Sequence, residues 1–243
     1  MTLLIAVLMF SLPQAPASSP ALLEQIACAP MGLPAPPLAG LRVVGGNDHG
    51  RLMFGPGQAL IVNAGTSQGV ERGQQYFVRR PVNQPWKKQP KVGALYGVHT
   101  AGWVTIVDAK DTMAVATVTH ACDGILDGDY LEPYVAPVAP SSALTGAADY
   151  EHPARLVMAD ENRTGGYPGL MMLIDRGSEE GVRAGQALTI YRLTLAGQGP
   201  IHDLGRATVL SVSAQSAVVR IDSLRDAFYV GDLVAIHRIT QTP

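Results

Sequence analysis

The sequence predicts an all-β protein made of two tandem small β-barrel-like modules that are related by internal duplication. The 243 residues include 26 glycines and 18 prolines, which separate short runs of valine, isoleucine and leucine. Short apolar runs separated by glycine and proline favour strands joined by tight turns over helices. Hydrophobic residues make up 47% of the chain, enough to bury a core. A net charge of −2 gives no reason to expect nucleic acid as a partner.

One sequence pattern occurs twice at constant spacing. Eight residues of 50–74 recur 112 positions later, and eight residues of 99–129 recur 103 positions later. Chance is a poor explanation for two constant offsets, and the smaller second offset indicates a loop nine residues longer in the first copy. The recurring residues include the predicted structural turns: Gly65, Gly69, Gly73, Gly128 and Asp129 in the first copy, and Gly177, Gly181, Gly185, Gly231 and Asp232 in the second.

Each copy translates into five or six short strands. In the first copy, the apolar run 59–62 is followed by glycines that supply positive φ or close backbone approach at a sheet corner. Residues 102–107 and 113–118 alternate in polarity around a turn, which predicts a hairpin. Strands of this number and length are typical of a small, closed or half-closed SH3-like barrel.

Composition also predicts how the chain is divided. Proline-rich and alanine-rich stretches are typical of linkers. The predicted organisation is a signal peptide at 1–19, an N-terminal segment with a proline-rich linker at 20–49, module one at 50–134, a linker at 135–153, module two at 154–238 and a tail at 239–243.

The first residues predict export to the periplasm or cell envelope of a bacterium. Residues 3–12 form a charge-free apolar run of the length of a signal peptide core, followed by small residues suited to cleavage. No lysine or arginine precedes the run, which is unusual for a signal peptide. The alternative is an apolar core strand.

The two cysteines, Cys28 and Cys122, suggest a disulfide. In an oxidising compartment they would tie the N-terminal segment to module one. Two alternatives are open: a pair of unlinked buried thiols, or a lipid-modified cysteine at Cys28.

The turn residues of 63–78 and 125–133 carry a resemblance to bacterial envelope modules. The pattern x-x-G-x-x-x-G-V-x-x-G between apolar strands, closed by G-D-x-apolar, resembles the C-terminal barrel of flagellar assembly protein T. It is similar to small barrels found beside LysM motifs and, more distantly, to the paired barrels of the rod-shape protein MreC. The resemblance implies a non-catalytic scaffold or interaction domain. No LysM-like segment is present, so direct peptidoglycan binding is not implied.

No catalytic residue, metal or cofactor is predicted. His120, Cys122 and Asp123 lie close together with His99 upstream, but module two has Ser223 and Arg225 in place of His120 and Cys122. His99 and Asp123 recur as His202 and Asp226, either as a duplicated ligand contact or, as we favour, as turn-forming residues.

The longer loop of module one is the best candidate for an interaction site. It places five cations and a tryptophan on a loop that prolines stiffen. Such a loop suits binding to an acidic surface, a glycan or a lipid headgroup. The alternative is a solvated loop. The candidate residues are Arg79, Arg80, Trp86, Lys87, Lys88 and Lys91.

These observations predict a non-enzymatic, exported envelope scaffold or interaction protein. Its partner would be an envelope protein or a cell-wall component, and a peptidoglycan- or glycan-binding module is the alternative. Because the shared residues maintain the fold, function is expected where the copies differ: around Trp86, at Cys122, and near Trp103, which is replaced by Arg206.

Overall fold

The computed structural model describes residues 19–35, 40–46, 50–82, 95–159, 163–197 and 199–238. It is predominantly β, which confirms the all-β prediction. The elements in chain order are α1 Pro20–Cys28, β1 Met31–Leu33, β2 Val43–Gly46, β3 Met53–Phe54, β4 Ala59–Val62, β5 Gln75–Pro81, β6 Tyr96–Ala109, β7 Ala114–Ala121, β8 Ile125–Leu126, β9 Tyr130–Pro133, β10 Ala147–Ala159, β11 Met171–Ile174, β12 Ala187–Leu193, α2 Thr194–Gly197, β13 Ile201–Val212, β14 Ala217–Leu224 and β15 Leu233–Arg238.

The strands form two main sheets with the same connectivity. The first sheet runs β2-β4-β7-β6-β5-β9, with β1 added beside β6. The second sheet runs β10-β11-β14-β13-β12-β15, and β15 pairs again with β10, so this sheet closes on itself. Among the described residues the first sheet is an open path, and its edges approach each other at the bridge between Arg42 and Tyr130. The sequence predicts closed or half-closed barrels; in the described residues the second sheet is closed and the first is open.

Each sheet encloses its own apolar core. The first core gathers residues such as Leu60, Val104 and Ile106, and the second gathers Leu188, Ile190 and Val219. These side chains alternate along their strands with outward-facing ones, as the pleat of a sheet requires. The hydrophobic runs read from the sequence thus supply two separate cores.

Both sheets contain the same glycine corner. A 3-10 turn at Thr66–Gln68 or Ser178–Glu180 ends at Gly69 or Gly181, each with φ 79°, in the left-handed region that glycine favours. Each turn begins at a glycine in extended conformation, where a Cβ would overlap backbone: that of Lys110 for Gly65, and that of Ala214 for Gly177. In each corner, the first glycine is required because the backbone approaches closely, and the last glycine is required because its φ is positive.

The sheets extend beyond the predicted module boundaries. Strand β2 lies before residue 50, and β10 begins at Ala147, inside the predicted linker. Ala147 pairs with Arg238 at the far end of β15, a contact between residues distant in sequence. No helix in the described part of the chain has the length and apolar character needed to cross a membrane.

Candidate functional site

The N-terminal segment, residues 19–33, lies between the two sheets and contacts both. Its helix α1 begins at Pro20, and the Ser19 hydroxyl accepts a hydrogen bond of 3.3 Å from the Leu22 amide. Serine at the N-cap followed by proline is a standard helix start. This signal is visible in the sequence, but the prediction placed Ser19 in the signal peptide and proposed no helix.

One side of α1 packs on the second sheet. Ile26 and Ala29 share a buried apolar cluster with Met171, Leu173 and Val218. Leu22 of the helix and Val82, which follows β5, pack against the same cluster. The N-terminal segment therefore covers this apolar patch on the outer face of the second sheet.

The other side of α1 is linked covalently to the first sheet. Cys28 and Cys122 form a disulfide with a Cα–Cα distance of 5.5 Å, which confirms the predicted pairing. Around it, Ala27 clusters with Phe77 and Trp103. Closing a loop of 94 residues removes entropy from the unfolded chain worth roughly 4.7 kcal/mol. The alternative of two unlinked thiols does not hold.

After the helix, hydrogen bonds also link the N-terminal segment to both sheets. Strand β1 pairs antiparallel with the start of β6, and Thr100 Oγ1 donates to the Ala29 carbonyl at 3.2 Å. On the opposite side, Ser216 Oγ donates to the Gly32 carbonyl at 3.4 Å. Of the copy-specific positions, Cys122 and Trp103 therefore serve to seat the N-terminal segment.

Two cations of the candidate interaction loop lie within β5 and are already paired. Arg79 is 7% exposed, and its Nε lies 3.0 Å from Glu132 Oε2. Burial lowers the pKa of Arg79, and the Glu132 carboxylate opposes this. Arg80 makes a bidentate ion pair with Asp129, from Nε to Oδ1 at 2.7 Å and from Nη2 to Oδ2 at 2.8 Å. Arg79 and Arg80 are thus both paired with carboxylates of the same chain.

The other candidates of this loop, Trp86, Lys87, Lys88 and Lys91, lie outside the described residues. Their role as an interaction site stays a prediction.

The predicted turn residues share one arrangement in both sheets. Asp129 Oδ2 accepts a hydrogen bond from the Leu126 amide at 2.8 Å, and Asp232 Oδ2 accepts from the Tyr229 amide at 2.7 Å. Each also pairs with an arginine of the neighbouring strand, Arg80 or Arg192. Positive φ occurs at Gly69, Gly73, Gly128, Gly181, Gly185 and Gly231.

The recurring histidines and aspartates also meet. His99 Nε2 lies 3.4 Å from Asp123 Oδ2, and His202 Nε2 lies 2.9 Å from Asp226 Oδ2. Both aspartates additionally accept a bond from the next backbone amide, at Gly124 and Ala227. The hydrogen bond from His202, followed by that from Ala227, lowers the pKa of Asp226. This geometry is that of a side-chain-stabilised turn.

His120 lies beside the disulfide. Its ring stacks on Trp103 at 4.3 Å, and its ligand atom and both sulfurs fall within 4.8 Å of one another. Joined sulfurs are not the thiolates that bind metals. In the disulfide form, His120 therefore contributes ring packing to the seat of α1.

No protein-family model matches the chain, and no curated protein matches it. The resemblance to envelope barrels stays a prediction.

Proposed function

We propose that the chain is a non-enzymatic, exported scaffold or interaction protein of the bacterial cell envelope, built from two repeats of one small SH3-like barrel module. The observation that carries this is the N-terminal segment, which is bonded to both sheets and held to the first by the Cys28–Cys122 disulfide. By contacting both sheets, the N-terminal segment holds their two similar surfaces in a fixed relative position, and a scaffold requires such a fixed position.

Duplication is supported by agreement at several levels. The two sheets have the same strand order, the same glycine corner and the same arginine–aspartate pair. A hydrogen bond also recurs. The backbone amide of Arg42 donates to Asn63 Oδ1 in the first copy, and the backbone amide of Arg155 donates to Asp175 Oδ1 in the second. Matching networks at a matching sequence spacing favour a common origin over chance.

Export is supported by the disulfide, because such bonds persist in oxidising compartments. The apolar run at the N-terminus agrees with it. The two arguments are independent, since one rests on cysteine chemistry and the other on hydropathy.

The scaffold proposal is tested by site-specific photo-crosslinking in intact cells of a bacterial host that produces the full chain. A photoreactive residue replaces the exposed Leu52, which is 75% accessible, or Val138, which is 79% accessible. The matched control position is the buried Leu60. We expect one discrete adduct from an exposed position and none from Leu60. Absence of adducts from both exposed positions, or a cytoplasmic chain of full mass, would overturn the proposal.

The glycan-binding alternative is favoured by an aromatic surface on the second sheet. Tyr167 and Tyr229 are 49% and 50% exposed, and their rings lie near Arg163 and Arg192. Amphipathic rings beside cations suit a hydroxylated or acidic ligand. Co-sedimentation with insoluble cell-wall sacculi tests this: retention at low salt that is lost in Tyr167→Ala favours the glycan function, and no retention removes it.

A further inference from the structure

A cavity of about 500 Å³ lies at one end of the second sheet. It forms where three distant segments meet: the start of β10, the turn after β11 and the end of β15. A volume of this size falls in the range of small-molecule sites. Its charged and titratable lining consists of Asp149, His152, Arg176, Glu180, Arg183 and Arg238.

The charges in this cavity do not cancel. Asp149 is satisfied by Arg238, whose Nε and Nη2 reach its Oδ2 at 2.9 and 2.6 Å. Arg176 Nη1 lies 3.8 Å from Glu180 Oε1, which is beyond hydrogen-bond distance. In the described part of the chain, the Arg183 guanidinium has no hydrogen-bond or ion-pair partner. Three guanidinium groups thus face two carboxylates.

Comparison of the two copies shows that this turn forms without arginines at the positions of Arg176 and Arg183. Arg176 and Arg183 occupy the positions of Ala64 and Glu71 in the first copy. The backbone of the turn is nevertheless the same, since its C-cap glycine has φ 79° in both sheets. Arg176 and Arg183 therefore add positive charge to the cavity that the turn itself does not require.

We propose that this cavity is a binding site for a small oxyanion, a carboxylate or a phosphate, held by Arg183 and Arg176. A guanidinium presents paired N–H donors that match both anions, and charge-assisted bonds of this kind are the strong ones. Arg238, which is held by Asp149, also lines the cavity. The site goes beyond the scaffold function and does not depend on export.

The test is calorimetric titration of the disulfide-bonded full chain with citrate and, separately, with inorganic phosphate, in dilute chloride buffer. The variants carry the residues of the first copy, Arg183→Glu and Arg176→Ala, because that copy forms the same turn with them. Arg183→Gln is a second, milder variant. The matched control is Arg72→Glu, which makes the same charge change on the first sheet.

We expect saturable binding with one site per chain, weakened at least tenfold by Arg183→Glu, and changed less than twofold by Arg72→Glu. Tighter binding of citrate assigns the site to carboxylates, and tighter binding of phosphate assigns it to phosphates. The proposal is overturned if neither anion gives saturable heat. It is also overturned if Arg72→Glu weakens binding as much as Arg183→Glu, since the effect would then be one of net charge.

Discussion

The guanidinium of Arg192 meets the carboxylate of Asp232 with two parallel hydrogen bonds, from Nε to Oδ1 at 2.7 Å and from Nη2 to Oδ2 at 2.6 Å. The pair joins β12 to the turn that precedes β15, where the second sheet closes. Arg80 and Asp129 form the same contact in the first sheet. Planar, bidentate geometry makes this among the stronger ion pairs of proteins.

Removing the Asp129 carboxylate tests the importance of this pair. The side chain is 2% exposed and satisfies both Arg80 and the Leu126 amide. Asp129→Ala removes the acceptor of the Leu126 amide and of Arg80 Nε, while Arg80 Nη2 keeps the Gly124 carbonyl. We expect a loss of about 3 kcal/mol in the free energy of unfolding. Urea denaturation measures it. The control Asp127→Ala removes an exposed carboxylate from the same turn and should cost under about 0.5 kcal/mol. Equal effects would contradict a special role for Asp129.

Breaking the disulfide should release α1 from the first sheet. In a Cys28→Ala, Cys122→Ala double variant we expect a loss of up to roughly 4.7 kcal/mol in stability, because the unfolded chain regains its freedom. Trp103, 8% exposed beside the disulfide, should become more accessible to water. Fluorescence in a Trp86→Phe background, where Trp103 is the remaining tryptophan, reports this as a shift to longer wavelength. An unchanged spectrum would show that packing alone seats α1.

The acid stability of the second sheet should depend on Asp149. Although desolvation opposes the change, hydrogen bonds from Arg238 and the Glu151 amide lower the pKa of Asp149 from 3.8 to about 2. A pKa lowered by folding stabilises the protein above the unfolded value, and the stabilisation is lost as the pH falls through the folded value.

We therefore expect Asp149→Asn to be less stable than the native chain at neutral pH, and the difference to shrink as the pH falls from 4 towards 2. Thermal unfolding at a series of pH values measures it. Glu151→Gln, which removes a neighbouring exposed carboxylate and leaves the amide donor in place, should show no such pH dependence. A constant gap between Asp149→Asn and the native chain would be inconsistent with the lowered pKa.

The glycine corners should tolerate no side chain at their first position. A Cβ on Gly177 would overlap the Ala214 backbone, which cannot move without breaking the turn. Gly177→Ala should cost about 2–4 kcal/mol in the free energy of unfolding, measured with urea. At Gly55, a Cβ would meet no atom within 4 Å, so Gly55→Ala serves as the control. Gly55→Ala should stabilise slightly or have no effect, because alanine reduces the entropy of the unfolded chain. Similar losses for both variants would contradict overlap as the cause.

Much of the local structure could be predicted from residue pattern. An apolar run marked β4, alternating polarity marked β6 and β7, and the recurrence of Gly69 as Gly181 marked equivalent turns. Glycine and aspartate act on their immediate backbone, so their effect can be inferred from a few neighbouring residues. The disulfide could be predicted because the chain has two cysteines.

The long-range contacts could not be predicted in this way. Arg80 reads as a loop cation next to Pro81, and its partner Asp129 is separated from it by 49 positions. The oxyanion cavity likewise combines Asp149, Arg183 and Arg238, which no spacing rule connects. Packing of distant strands decides such neighbours, and a single sequence carries no direct record of it.

By itself the sequence determined the β character and the repeated turn glycines, because these depend on local backbone preference. Tertiary structure decided that Cys28 and Cys122 pair, that α1 lies between the two sheets, and that Arg80 and Arg192 pair with Asp129 and Asp232. It also brought Arg176, Arg183 and Arg238 to one cavity of the second sheet. The physical reason is that burial and charge pairing depend on distance in space, which the closing of each sheet sets.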